Sequence, residues 1–232
     1  MTQLSDLQTQ IRYLTNTENS QFITNTELTY YINASAGELD DILLTKNEDY
    51  RLTHTQLVIA TGSTFPLPSD FYQLRGVDFY TNSAPTPWLT LKQFSMPERN
   101  KYTQPFFATI PGTITPYYML QDGYVAIIPP VAALGTYQLW YTPILPALVN
   151  QTDTIPSYLN NNAWCEYIVV DCCIKVLNKQ NLDPSAFMAQ KAGLKVRVEG
   201  LAGKRDAGAP KCGRQTRFSG SSRYGGYMGW RV

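Results

Sequence analysis

The sequence predicts an α+β protein: a helical bundle built from N- and C-terminal segments, a small β-rich lobe inserted between them, and an extended basic C-terminal arm. Three observations carry this reading. Apolar residues recur at helical spacing near the N-terminus and again after residue 160, strand-like runs bounded by Gly and Pro fill residues 51–150, and no periodicity remains after residue 203. The corresponding divisions are 1–50, 51–150, 151–203 and 204–232, and a chain of 232 residues is long enough for such a core.

Leu4, Leu7, Ile11 and Leu14 form the stripe of a first helix, with Ser5 or Thr2 as its cap. The polar run 16–20 ends it. Thr24 and Glu27 then stand three apart, as in a capping box, before a second helix that buries Leu28, Tyr31, Ile32, Ser35, Leu39, Ile42 and Leu43. Asp40 and Asp41 are placed toward its solvent side. Adjacent helical residues point about 100° apart, so these two carboxylates do not converge on one reaction.

Leu57 to Ala60 is a strand, followed by a turn at Gly62. Pro66 and Pro68 hold the chain extended, and Ser69 or Asp70 is expected to cap one helical turn that swings Phe71 and Leu74 inward. Val77 and Phe79 begin another strand. Pro85 and Pro87 bracket a loop before Trp88, and residues 91–100 are expected to be a short helix carrying Lys92, Glu98 and Arg99. Residues 106–146 read as a β meander with strands at 117–120, 124–128 and 137–141 and a tight turn at Gly123.

After a lead-in at 156–162, Trp164, Tyr167, Ile168, Val170, Asp171, Ile174, Leu177 and Leu182 mark a strongly apolar helix and its exit. Pro184 suits the first turn of the last helix, which carries Phe187, Leu194, Val198 and Leu201.

Charged residues make up 16% of the chain, against roughly 25% in an average globular protein. The deficit is filled by Thr, Asn, Gln, Ser and 16 Tyr, a composition that suits a surface covered by neighbours. The charges are also unevenly placed. Residues 204–232 hold seven of the 19 basic residues and one of the 18 acidic ones, so an acidic body carries a basic arm. Arg205, Lys211, Arg214, Arg217, Phe218, Arg223, Tyr224, Tyr227, Trp230 and Arg231 are the candidate binding residues, because Tyr, Trp and Arg dominate interaction hot spots. The arm fits an acidic protein partner, or the acidic body of a neighbouring subunit. It also fits single-stranded nucleic acid, through backbone charge and base stacking.

Signals for chemistry are sparse. His54 stands alone, between Thr53 and Thr55. Cys165, Cys172, Cys173 and Cys212 form neither a disulfide framework nor a paired zinc spacing, so free thiols of a reducing cytoplasm are expected, with Cys165 and Cys172 as small hydrophobes on one helix face. No metal and no cofactor are expected. Asp70, Asp78, Asp122 and Glu98 leave a carboxylate-based cell-wall hydrolase as an alternative. No signal peptide and no membrane span is visible, so no membrane partner is expected.

Several phrases occur in a suggestive order. They are Tyr30-Tyr31-Ile32-Asn33 with Leu39, Leu67-Pro68-Ser69-Asp70-Phe71 running into Leu74-Arg75-Gly76-Val77, Tyr124 to Pro130, Tyr137 to Tyr141, and Pro143-Ile144-Leu145-Pro146. In that order, over about residues 1–200, the chain resembles the head-to-tail connector adaptors of short-tailed bacteriophages, the tail accessory factor type. The resemblance implies a non-catalytic virion protein at the neck, made in the host cytoplasm. It implies a homo-oligomeric, dodecameric ring bound to the portal protein above and a tail nozzle or hub protein below. It also implies a DNA exit channel with transient contact to genomic DNA, and an arm at 204–232 that reaches along the portal. An acidic channel wall would let DNA slide, since anionic groups release no counterions from it. A stopper or baseplate protein of the same virion is the neighbouring alternative.

Overall fold

The computed structural model describes residues 2–18, 22–81, 87–98, 116–130, 133–160 and 164–203. In chain order the elements are α1 (Leu4–Leu14), α2 (Asn25–Lys46), β1 (Thr53–Ile59), β2 (Thr64–Pro66), β3 (Phe71–Tyr80), β4 (Trp88–Thr90), β5 (Lys92–Gln93), a 3-10 turn (Met96–Glu98), β6 (Tyr117–Gln121), β7 (Tyr124–Ile128), β8 (Gly135–Pro143), α3 (Trp164–Lys179) and α4 (Ser185–Ala202). The architecture is α+β, as the periodicities predict.

The helices share one core. Leu4, Leu7 and Ile11 of α1 are fully buried against Leu28, Ile32, Leu39 and Leu43 of α2 and Tyr167, Ile168, Cys172 and Val176 of α3. Leu14, expected on the same stripe, is 46% exposed, because α1 ends there and the chain bends at Thr15. Gln8 is buried instead and donates to the Asn25 carbonyl at 3.2 Å and to Thr29 Oγ1 at 2.9 Å. The cap of α1 is neither Ser5 nor Thr2. Gln3 takes that place, its N–H donating to the Asp6 carboxylate at 3.0 Å, while the Thr2 hydroxyl donates to Asn160 at 2.9 Å. The cap of α2 is as read: the Glu27 N–H donates to Thr24 Oγ1 at 3.2 Å. Leu182 lies past the end of α3 and is exposed, as is Leu201 of α4. Pro184 is the N-cap of α4 rather than its first residue, and the Ser185 N–H donates to Asp183 at 2.9 Å.

Ion pairs give the helix directions. Lys179 meets Glu27 at 2.6 Å and the Tyr167 hydroxyl donates to Glu38 at 2.7 Å, so α3 runs antiparallel to α2. Lys191 meets Glu38 at 2.9 Å and Lys46 meets Glu199 at 3.5 Å, so α4 runs parallel to α2 and their C-terminal ends lie side by side. At the centre, Asp171 accepts from Ser35 Oγ at 2.6 Å and from Lys175 and Lys191 at 2.7 Å each. Burial pushes its carboxyl up, but these three donors prevail and hold it below the ordinary carboxylate value. The start of the chain is sewn to the segment before α3: Leu4 N–H donates to the Asp153 carbonyl at 2.9 Å and Ile155 N–H to the Thr2 carbonyl at 3.1 Å.

The strands form two four-stranded sheets, in the orders β1-β8-β3-β4 and β2-β7-β6-β5. Both contribute to a second core that includes Phe65, Val77, Val125, Ile127, Tyr137 and Leu139. The hairpin β6–β7 turns at Gly123, whose φ of 77° suits glycine. Three expectations change here. The third strand of the supposed meander, β8, does not pair with β7; it crosses over to lie between β1 and β3. No helical turn follows Ser69. Phe71 begins β3, whose ladder to β8 is interrupted by register shifts, and Asp70 accepts the Tyr141 hydroxyl at 3.0 Å. Residues 91–98 are not a helix of useful length, because the sheets claim the backbone: Leu91 N–H donates to the Val77 carbonyl at 2.8 Å and Phe94 N–H to that of Tyr118 at 3.0 Å. Arg99 lies outside the described residues.

Gly135 opens β8 with φ of 147°, and a Cβ there would stand 2.7 Å from Cε2 of Phe79. That ring is held against Tyr137, with centroids 5.1 Å apart. Gly135→Ala is therefore expected to lower stability by about 1–3 kcal/mol, read by urea unfolding. An unchanged midpoint would mean that the ring shifts freely.

Candidate interaction surfaces

The sequence-predicted binding residues Arg205, Lys211, Arg214, Arg217, Phe218, Arg223, Tyr224, Tyr227, Trp230 and Arg231 lie outside the described residues. The surfaces that can be built from side chains belong to the body.

The first lies where the bundle meets the sheets. Asp40, expected toward solvent, is 5% exposed. Arg51, just before β1, donates both to its carboxylate and to the Pro143 carbonyl at the end of β8, and lies 5.1 Å from the Tyr158 ring centroid. One guanidinium thus links α2 to the last residue of β8. Burial raises the carboxyl of Asp40, and Arg51 opposes that shift. Asp40 Oδ1 is buried without a hydrogen bond. Asp41 is exposed, as expected, and accepts the Tyr72 hydroxyl at 3.1 Å.

Asp40 and Asp41 line a groove of about 300 Å³ with Asn33, Tyr72, Ile144 and Pro146. Its apolar wall is the segment after β8, where Ile144 is half exposed. A second hollow continues past Asp41 to Thr45 and Glu48. There Arg75 meets Glu48 at 2.7 Å and Asp49 at 3.8 Å. Four carboxylates (Asp40, Asp41, Glu48 and Asp49) thus face two guanidiniums, and the C-terminal end of α2 adds the negative end of its dipole.

The second surface is the outer face of the β1-β8-β3-β4 sheet. The register sets His54 beside Trp140, Gln56 beside Gln138 and Asp78, and Tyr80 beside Trp88. The His54 and Trp140 rings are 4.7 Å apart, Trp140 Nε1 donates to Asp78 at 2.7 Å, and Tyr80 packs on Trp88 at 5.1 Å. A solvent-facing sheet ordinarily alternates apolar-in with polar-out, yet here two Trp and a Tyr point outward. The third surface is on α4, which carries Met188, Val196 and Leu201 outward, Val196 being 72% exposed. Sequence reasoning named none of these residues as sites. The usable signals were Trp140 at an outward register and a last helix with apolar residues on every side.

Of the carboxylates of the hydrolase alternative, Asp70, Asp78 and Asp122 stand apart from one another. Asp70 and Asp78 flank most of β3 and are bound to Tyr141 and Trp140 respectively, while Asp122 sits in the β6–β7 turn of the other sheet. Glu98 ends the 3-10 turn. Cys172 and Cys173 are fully buried, and burial pushes both thiols up to about 12, which suits packing rather than nucleophilic chemistry. Cys165 is half-buried and donates to Asn160 Oδ1 at 3.0 Å. Cys212 lies outside the described residues. Among the described residues no cluster of His, Cys, Asp and Glu could hold a metal, and no helix is long and apolar enough to cross a membrane.

Compared with known families, residues 2–206 match the model described as SU10 adaptor protein. No curated protein matches the chain.

Proposed function

Since the chain belongs to the SU10 adaptor protein family, a phage adaptor family, we propose that it forms a ring joining the portal to the tail and lining the DNA exit channel. The protein is a phage structural adaptor, a component of the virion. One observation supports the ring. The body presents outward aromatic or apolar side chains on two separate elements, the sheet face around Trp140, Trp88 and Tyr80 and the side of α4 at Met188 and Val196. Two unlike surfaces suit head-to-tail contact between copies, which closes into a ring when the rotation permits. The basic arm, residues 204–232, is assigned to the portal, and the acidic body suits a channel through which DNA slides.

The test is to mix the purified protein with portal rings and weigh the complex. A dodecamer of this chain on each portal is expected. A monomer that ignores portal would overturn the reading. Deleting residues 204–232 is expected to leave the body folded and to weaken portal attachment; equal attachment would remove the arm from the assignment. Steeply salt-dependent binding of single-stranded nucleic acid by the full chain, without portal binding, would favour the nucleic-acid reading.

A further inference from the structure

We infer that the acidic groove beside Asp41 is the docking surface of the chain's own C-terminal arm, residues 204–232, before the protein is assembled. The inference rests on the body surface and holds whether or not the arm later engages a portal.

The groove holds more carboxylates than the two guanidiniums facing them, Arg51 and Arg75. Asp40 itself is 95% buried, held by Arg51 and with the Tyr158 hydroxyl beside it, so its exposed neighbours carry the unmet charge. Beside it, among the described residues, the Asp41 carboxylate accepts from the Tyr72 hydroxyl alone, and Glu48 and Asp49 share one guanidinium. The surface therefore asks for cationic donors. The wall at Ile144 and Pro146 asks for apolar or aromatic area next to them. A segment that alternates Arg with Phe, Tyr and Trp supplies both, and residues 214–231 are such a segment.

Position selects the same occupant. α4 runs parallel to α2 and ends at Ala202, one turn beyond the Lys46–Glu199 contact. A shallow hollow between the two helices runs from Glu199 and Lys195 to Thr45 and Asp41, which is also a wall of the groove. The described chain thus ends on the side of the groove. At roughly 3.3–3.6 Å per extended residue, even the arm's first ten residues span more than the width of two packed helices. The arm is also where basic charge is concentrated, with seven Lys and Arg against Asp206.

The test is carbodiimide cross-linking of the full chain at low salt, without portal, with the amides located by mass spectrometry. Lys204 or Lys211 is expected to join Asp41, Glu48 or Asp49, and the joining is expected to vanish near ~1 M salt, where the screening length falls to about 3 Å. Lys46–Glu199 and Lys191–Glu38 serve as controls within the body. A mixture of 15N-labelled and unlabelled chains is expected to give arm links within one isotope only. Asp41→Asn with Glu48→Gln is expected to reduce arm links to the remaining Asp49 several-fold while leaving both controls. If the controls form and the arm lysines join other carboxylates, or none, the inference is overturned. Links between unlike isotopes overturn its own-chain form. Loss of portal binding in the separate mixing experiment would fault the adaptor reading and leave the cross-links untouched.

Discussion

Asp171→Asn is expected to destabilise the folded chain by about 3 kcal/mol at neutral pH. Asp171 is the acceptor at which α2, α3 and α4 meet, through Ser35, Lys175 and Lys191. An amide keeps the shape but loses the charge, leaving Lys191 with Glu38 and the Tyr167 ring, and Lys175 with the neutral Ser35 hydroxyl. The pH dependence separates charge from packing. Burial raises the Asp171 carboxyl, the bonds from Lys175, Lys191 and Ser35 lower it further, and the net shift is down. A depressed carboxyl contributes stability that is fully present above its unfolded value of about 3.9 and is lost as pH falls through the folded value. Urea unfolding at pH 7 and at about pH 3 is therefore expected to show a wide gap between wild type and variant that narrows in acid. An equal gap at both pH values would assign the loss to packing.

Arg51→Ala is expected to cost about 3–5 kcal/mol, because it leaves a buried carboxylate without its counter-ion. Both side chains of the pair are over nine-tenths buried, and the same guanidinium satisfies the Pro143 carbonyl. Removing both partners costs less than removing one, so Asp40→Asn in the Arg51→Ala background is expected to restore part of the stability. Here the sign of the pH effect is opposite to that at Asp171. The Asp40 carboxyl is raised by burial even with Arg51 beside it. A raised carboxyl favours the fold at low pH and costs stability as pH rises through the folded value. The Arg51→Ala loss is therefore expected to be larger at pH 7 than near pH 5. Arg51→Lys is expected to rescue little, since an ammonium lacks the planar fork that reaches a carboxylate and a carbonyl together.

What could be read from the sequence was what local periodicity encodes. The stripes Leu4-Leu7-Ile11 and Leu28-Ile32-Leu39-Leu43 gave α1 and α2 nearly to the residue, and Thr24 with Glu27 gave the start of α2. The β6–β7 hairpin was visible at Gly123 for the same reason: the turn is a local requirement. Pairing was not visible. β8 follows β7 in the chain, so a meander was the economical reading, yet its partners are strands that begin more than fifty residues earlier. Asp40 was misplaced for a related reason. An Asp-Asp pair on a helix ordinarily faces water, and the guanidinium that draws Asp40 inward lies beyond the end of that helix. The α4 surface was half visible: Phe187, Leu194 and Val198 do turn inward, but Leu201, read with them, points out. Trp140 was read as part of a strand, and only the register reveals that it faces outward beside His54. The arm's composition marked it as a binding segment, while the groove that we assign to it is assembled from α2, β3 and the segment after β8, which no short window of sequence contains.

The stitching of residues 2–5 to residues 151–155 has a consequence for the order in which the chain is made. Among the described residues, all the paired strands lie between residues 53 and 143, so the sheets can close while the ribosome is still working. The bundle cannot. α1 and α2 emerge first, but α3 follows α2 by roughly 120 residues, a wait of about 6–24 s at 5–20 residues per second. Throughout that interval their apolar stripes lack the face that covers them in the finished protein. A truncated translation product therefore carries sheets that can close and a bundle that cannot. The surfaces that depend on the bundle, including the side of α4, exist only on chains synthesised past Ala202.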